Sequence, residues 1–338
     1  VISKEPSAVP TPAERVDELL GGFQATQALH AAAKLGVFDV LRDESKTSDE
    51  IAVAVGAHEP SLRRLLRFLG TIGALVEDGY GRFAATPMGE LLRSDHPASA
   101  RPWAILYGSP AIWRTYGELY ESVLSGQPAF ERVHGAPFFE YLERNQEDAS
   151  VFNAAMTSGG SPSAILDAYD FSSFAKIVDV GGGQGALLQA ILEQYPHATG
   201  VLYDLPSVIA QASAITDVTV AARRQVVAGD MFQSIPTGCD AYLLKRIIHD
   251  WSDAEAIQIL RNCRQAMSDQ GRILLIEQII QPSHQSSATT SADLNMLVLV
   301  SGRERTEKEF RDLLASAGLE LTRVIPAGGR SVIEAVPA

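Results

Sequence analysis

Apolar residues in the first half of the chain recur at three- and four-residue spacing from about Ala13 to Ala164, most clearly in GGFQATQALHAAAKLGVFDVL. That period lines one face of an α-helix, so this half is expected to be mainly helical. Within it, Thr47-Ser-Asp-Glu50 reads as a capping box, and Pro60 as a first-turn residue ahead of SLRRLLRFLGTIG. ALVEDGYGRFAAT follows, with Asp78-Gly79 expected to turn tightly between two short strands, and then the helix PMGELL. Helix, helix and hairpin in that order form the winged-helix pattern.

After Asp170 the period changes. Short apolar runs alternate with helical stretches, the signature of a parallel sheet with helices on both sides. The expected strands are KIVDV, GVLYDL, QVVAGDMF, DAYLLKRII and RILLIEQII, followed by LELTRVIP and RSVIEAV. Ala327-Gly328-Gly329 is too short to hold a crossover helix, so the last two strands should form an antiparallel hairpin. The expected fold class is α/β: a Rossmann-like seven-stranded sheet of the methyltransferase type, preceded by a mainly helical winged-helix domain. A dinucleotide-binding sheet would continue with parallel units instead. The expected domains are a flexible lead-in at 1–12, a helical domain at 13–164 and a sheet domain at 165–338, with the linker in TSGGSPSAIL, Thr157 to Leu166.

Composition narrows the partners. The 338 residues are 46% hydrophobic and 20% charged. No apolar run nears the roughly 18 to 20 residues needed to span a bilayer, so a soluble globular protein with no membrane role is expected. A net charge of −13 argues against nucleic acid as a partner, since phosphate backbones are bound mainly through Lys and Arg. Arg63, Arg64 and Arg67 then read as a solvated helix face. Cys239 and Cys263 suggest neither a disulfide framework nor a zinc cluster, and a reducing cytoplasm is the expected setting. VISKEPSAVPTP lacks the basic start and apolar stretch of a secretory signal.

Chemistry gathers at strand ends. Gly181-Gly-Gly-Gln-Gly185 follows a β-branched strand and precedes the helix ALLQAILEQY; glycines there let the backbone turn sharply and approach a ligand closely. With Ala186 the loop also satisfies a loose NAD fingerprint, so it does not choose between cofactors. Asp204, in VLYDLP, lies 23 residues beyond Gly181, where a carboxylate can accept ribose hydroxyls. Gly229-Asp230-Met231-Phe232 closes the next strand and offers an acid followed by an apolar clamp for adenine, though a turn residue and core filling would read the same way. His249 and Asp250 fall in a short loop ahead of the capping box Ser252 to Glu255. A histidine there titrates near neutrality and suits a general base. Glu277 interrupts the apolar run RILLIEQII, and a buried carboxylate needs a partner such as an imidazole.

LLKRIIHDWSD, together with LGVFDVL, FFEYLERNQEDASVFNAAM, DVGGGQG, YDLP, GDMF and GRERTEKEF, resembles the small-molecule O-methyltransferases that include plant caffeic acid-type enzymes and bacterial enzymes tailoring polyketides and phenazines. The resemblance covers nearly the whole chain. It implies S-adenosylmethionine as cofactor, S-adenosylhomocysteine as product, a small aromatic substrate and a homodimer formed through the N-terminal domain. It also implies cofactor contacts at Gly181, Gly183, Asp204, Leu205, Gly229, Asp230, Met231, Phe232 and Lys245. His249 would be the base, flanked by Glu277 and Glu304. Substrate contacts would come from Phe152, Asn153, Met156 and Asp250, and from Asp293, Asn295 and Met296 in DLNML. No metal is called for, because a sulfonium already activates the methyl group. Rival readings are N- or C-methylation, a DNA-binding regulator that senses S-adenosylmethionine, and an NAD enzyme.

Overall fold

The computed structural model describes residues 10–158, 162–210, 217–281 and 286–338. Most of the expected lead-in and the centre of the expected linker lie outside the described residues. The chain divides into two compact units, Val1–Trp113 and Arg114–Ala338. The division falls well before the expected residue 164. The helices between residues 114 and 158 share the helical period of the N-terminal unit but are tied to the sheet unit: Tyr116 donates to Asn295 Oδ1, and Phe139 stacks on Trp251.

In the first unit, Thr11 and Glu14 form a capping box that starts the helix Pro12–Leu20, none of whose residues is buried. The helix Gly22–Leu35 lies close against Arg101–Tyr107, where His30 Nδ1 is 3.0 Å from the Ile105 carbonyl. Gly108 permits that approach, since a Cβ there would sit 2.2 Å from His30 Cβ. β1 (Lys46–Thr47), the helices Ser48–Val55 and Glu59–Thr71, β2 (Leu75–Glu77) and β3 (Arg82–Ala85) follow, with sheet order β1-β3-β2. Thr47 and Glu50 make the expected capping box. The hairpin turn is longer than Asp78-Gly79 suggests. Asp78 Oδ1 accepts from the Tyr80 and Arg82 amides, and Gly81 takes the left-handed conformation at φ +74°. Arg63, Arg64 and Arg67 are exposed.

The second unit is built on seven strands: β4 (Lys176–Val180), β5 (Thr199–Asp204), β6 (Arg224–Ala228), β7 (Ala241–Lys245), β8 (Arg272–Glu277), β9 (Leu319–Ala327) and β10 (Arg330–Pro337). Their order is β6-β5-β4-β7-β8-β10-β9. The first five run parallel, and β10 is antiparallel to both β8 and β9. Gly328 and Gly329, at φ +59° and +84°, supply the two left-handed positions that a two-residue hairpin turn demands.

Alternation along the central strands buries both faces. Val178, Val180, Leu244 and Leu275 meet Ile259 and Leu260 of the helix Asp253–Ala266 and Phe310 and Leu314 of Glu307–Ser316. Ile177, Leu243, Leu274 and Ile276 meet Leu188, Ile191 and Leu192 of Ala186–Gln194. Each such side chain contributes roughly 1.5–3 kcal/mol by leaving water. This double packing fixes the carboxyl ends of β4, β5, β7 and β8, where the chemical groups lie.

Candidate active site

Gly181, Gly183 and Gly185 all adopt left-handed backbone, at φ +66°, +59° and +83°. A Cβ on Gly181 would lie 2.4 Å from Ile247 Cδ1, whereas one on Gly183 would meet nothing within 4 Å. The loop is therefore packed on one side and open on the other. Asp204 braces it: Oδ2 accepts from the Gly183 amide at 2.8 Å and Oδ1 from the Leu205 amide at 2.7 Å. Each oxygen keeps a further lone pair. Burial raises the Asp204 pKa against these two amides.

Asp230 Oδ1 accepts from the Phe232 amide at 2.9 Å, so it does serve as a turn residue. Met231 packs partly buried against the core cluster beneath it. Gly229 lets Tyr203 approach closely, since a Cβ would fall 2.4 Å from the Tyr203 hydroxyl oxygen and 2.5 Å from its Cε2. Asn262, which nothing in the local sequence singles out, donates to the Met231 and Phe232 carbonyls at 2.8 and 3.0 Å and shapes this corner. Phe232 meets Trp251 edge-on at 4.7 Å, and Trp251 stacks on Phe139 at 5.3 Å. The buried Trp251 Nε1 has no hydrogen-bond partner among the described residues. A loop open on one side, a carboxylate with spare lone pairs and an apolar corner beside them fit an adenosyl ligand.

His249 sits in the one-turn helix Ile248–Asp250 that leaves β7. Its Nδ1 is 2.8 Å from Glu304 Oε1 and 3.9 Å from Glu277 Oε2, and both glutamates are closed to solvent. Glu277 Oε1 accepts the Ile247 and Ile248 amides at 3.0 and 2.9 Å. The carboxylate at the end of β8 therefore holds the backbone of the histidine loop. Asp293 Oδ1 accepts the Glu304 amide at 2.9 Å and so braces the segment that carries Glu304. Asp250 Oδ1 lies 3.4 Å from His249 Nε2.

Burial alone would depress the His249 pKa, but the charges of Glu277 and Asp250 and the hydrogen bond to Glu304 outweigh it and raise it to about 9. Burial pushes Glu277 up to about 7, against the attraction of His249. Asp179, in β4 beneath the glycine loop, is also raised to about 7 by burial, with Lys245 opposing. Lys245 is lowered by burial and by Arg330 and Arg246, with Asp179 opposing.

Phe152 packs edge-on against Phe138 and Phe139, so it joins the aromatic group that reaches Trp251. Met156 is half-buried and Met296 is buried, both compatible with core packing. Asp179, Asn262, Tyr116 and Trp251 are site neighbours that the sequence reading did not select. DVGGG and HDWSD carry two of them in plain view, while Asn262 and Tyr116 have no local signal. Arg246, immediately before the histidine loop, is the one non-glycine residue at positive φ (+58°) among the described residues. That conformation costs about 1–2 kcal/mol and marks the spot where β7 is bent into the site.

A glycine loop fitted to an adenosyl group, a methyltransferase strand order and a histidine held by two carboxylates define a class: enzymes that move a methyl group from an adenosyl cofactor. The O-methyltransferase domain family matches residues 116–320, and the O-methyltransferase dimerisation domain family matches residues 17–95. The phenazine O-methyltransferase of Lysobacter antibioticus is 40% identical over 325 residues, 95% of each chain. The 8-amino-8-demethylriboflavin N,N-dimethyltransferase of Streptomyces davaonensis is 39% identical, covering 96% of this chain and 95% of that one. An O-methyltransferase from neocarzinostatin biosynthesis, solved with S-adenosylhomocysteine and 1,4-dihydroxy-2-naphthoic acid, superposes with a TM-score of 0.83 at 34% identity, covering 95% of this chain and 98% of that one. The chain belongs to the S-adenosylmethionine-dependent O-methyltransferase family, and it carries that family's self-association domain. Among the described residues no helix is long and apolar enough to cross a membrane.

Proposed function

We propose that this enzyme methylates a phenolic hydroxyl of a small aromatic metabolite, with His249 as general base. The observation that carries the reading is the 2.8 Å contact between His249 Nδ1 and Glu304 Oε1. In the neutral ring, reached as pH rises toward the raised value of about 9, a carboxylate there accepts the proton held on Nδ1, which leaves the Nε2 lone pair free to take the phenolic proton. Glu277 keeps the loop in place through the Ile247 and Ile248 amides, and Asp250 beside Nε2 offers the incoming hydroxyl a second acceptor. Gly181, Gly183, Asp204, Leu205, Gly229, Asp230, Met231, Phe232 and Lys245 would hold S-adenosylmethionine, and Phe152, Asn153, Met156, Asn295 and Met296 would face the acceptor. When bound, that cofactor supplies an electrophilic methyl group on a sulfonium. The protein's own task is then to align the hydroxyl and remove its proton, and alignment carries much of the rate.

Turnover of a phenol by His249→Ala tests this. Wild-type turnover with the fold intact would sink the general-base role. The aromatic acceptor is supported by one relative named for phenazine and another solved with a dihydroxynaphthoic acid. N-methylation is a second reading, favoured by the N,N-dimethyltransferase relative. Parallel assays with labelled cofactor on matched phenols and anilines separate the two.

The homodimer would form through the N-terminal unit, where Val16, Leu19, Leu20 and Phe23 stand exposed. A reducing cytoplasm is the proposed setting, supported by the buried free thiols of Cys239 and Cys263.

A further inference from the structure

Arg305 is the largest of the fully buried side chains among the described residues. Its guanidinium is fully used. Nη1 donates to the Ile248 carbonyl at 2.9 Å and the Arg303 carbonyl at 3.3 Å, and Nη2 to the Trp251 carbonyl at 2.9 Å. Nε and Nη2 both reach Asp253 Oδ1, at 3.0 and 2.7 Å. The Ile248 and Trp251 carbonyls bracket the dipeptide His249-Asp250, so one rigid, planar group grips the catalytic loop at both ends. Its backbone is anchored as well: the Arg305 carbonyl accepts from the Ile280 amide at 3.0 Å, just beyond Glu277 on the extension of β8.

Two further observations converge on the same segment. Glu304, the partner of His249 Nδ1, is the adjacent residue. Gly302 is pressed so tightly on the loop that a Cβ would fall 1.9 Å from the His249 carbonyl oxygen and 2.4 Å from the Asp250 carbonyl carbon. Burying a guanidinium is costly. Its one carboxylate partner, Asp253, has a side chain 53% exposed, so ion pairing alone does not account for the placement. Three of the five contacts go to backbone carbonyls, and two of those carbonyls belong to the catalytic loop.

We infer that Arg305 is a positioning residue for methyl transfer: it fixes the His249 loop against the Glu304 carboxylate, with Gly302 providing the close seat. The inference rests on the reading of His249 as base. A lysine at 305 would keep the charge but lose the fork that spans both carbonyls, so Arg305→Lys is the informative variant.

The experiment pairs steady-state kinetics with histidine NMR titration. The His249 resonance is identified as the one missing from His249→Ala among the seven histidines. In Arg305→Lys, kcat is expected to fall about 10²-fold while KM for S-adenosylmethionine stays within about twofold. The His249 resonance should titrate at lower pH, because a loosened Glu304 contact removes one of the influences that raise it. The charged groups around that ring are Glu304 from the clamp segment, Glu277 from β8 and Asp250 from the loop itself, while Arg246 at the end of β7 and Arg330 on β10 act on those carboxylates. Guanidinium added to Arg305→Ala should restore part of kcat.

Wild-type kcat and an unchanged His249 titration in Arg305→Lys would overturn the inference. So would a loss of kcat that only tracks a loss of folded protein with the titration unmoved. If His249→Ala keeps wild-type turnover, the general-base reading fails by itself; a shifted His249 titration in Arg305→Lys would still identify the clamp.

Discussion

Glu304 Oε1 lies 2.8 Å from His249 Nδ1, across 55 residues of sequence, in a setting from which both side chains are nearly shut off from water. A hydrogen bond between charged groups in such surroundings is strong and directional. It makes the proton position on the ring a property of the fold.

Replacing His249 by Ala is expected to lower kcat by about 10²–10⁴-fold, the range typical of a general base. Affinity for S-adenosylhomocysteine, read by calorimetry, should change little, because the glycine loop and Asp204 are untouched.

The pH dependence follows from the carboxylates. A base must be neutral to accept a proton, and His249 is held up to about 9, so kcat/KM should rise with pH along a limb above the ordinary histidine range. Glu304→Gln removes one of the groups that raise it. The limb should then move to lower pH, with kcat down about tenfold or more through loss of the fixed tautomer. An unmoved limb would assign the titration to another group.

Gly181→Ala forces a side chain into a left-handed position and against Ile247, whose amide is one of the two held by Glu277. Backbone strain alone costs about 1–2 kcal/mol. Both cofactor affinity and kcat should suffer, since the clash propagates from the cofactor loop to the histidine loop. Gly183→Ala meets open space at a comparable φ, so it should weaken cofactor binding with a smaller effect on kcat. Fluorescence titration and kinetics on the two variants distinguish the effects.

Far from the site, Glu334 in β10 accepts from Arg323, Tyr169 and Thr322. Burial would raise its pKa, but these bonds and the Arg323 charge lower it to about 2. A carboxylate depressed on folding adds stability above its unfolded pKa, and that stability is lost as pH falls through the folded value. Glu334→Gln should therefore destabilise the fold at neutral pH by about 1–3 kcal/mol in urea melts, with kcat unchanged. The difference should shrink in acid.

Local features were legible in the sequence wherever one short segment carries the whole signal. The capping boxes starting at Thr47 and Ser252 form as read, and the glycine loop and terminal hairpin are where spacing put them. Glu304 was legible only through the family resemblance, because by local chemistry a charged residue among Arg303, Arg305 and Glu307 reads as a solvated loop. Only packing against the histidine loop shows it to be buried. Arg305 was hidden for the same reason. Helical period does not reveal which neighbour a helix packs on, so the boundary between compact units at Trp113 was not legible, and Asp78-Gly79 marked the turn without showing that its left-handed residue is Gly81.

The position of β10 between β8 and β9 bears on how the protein comes off the ribosome. Until residues 330–337 are made, β8 has β7 on one side and an unpaired edge on the other, and Glu277 sits at the end of that open strand, opposite the place Ser331 will take. Nascent chains stalled before Arg330 should thus present an exposed, aggregation-prone strand to chaperones. The strand that ends in Glu277 gains its second neighbour only when β10 has been made.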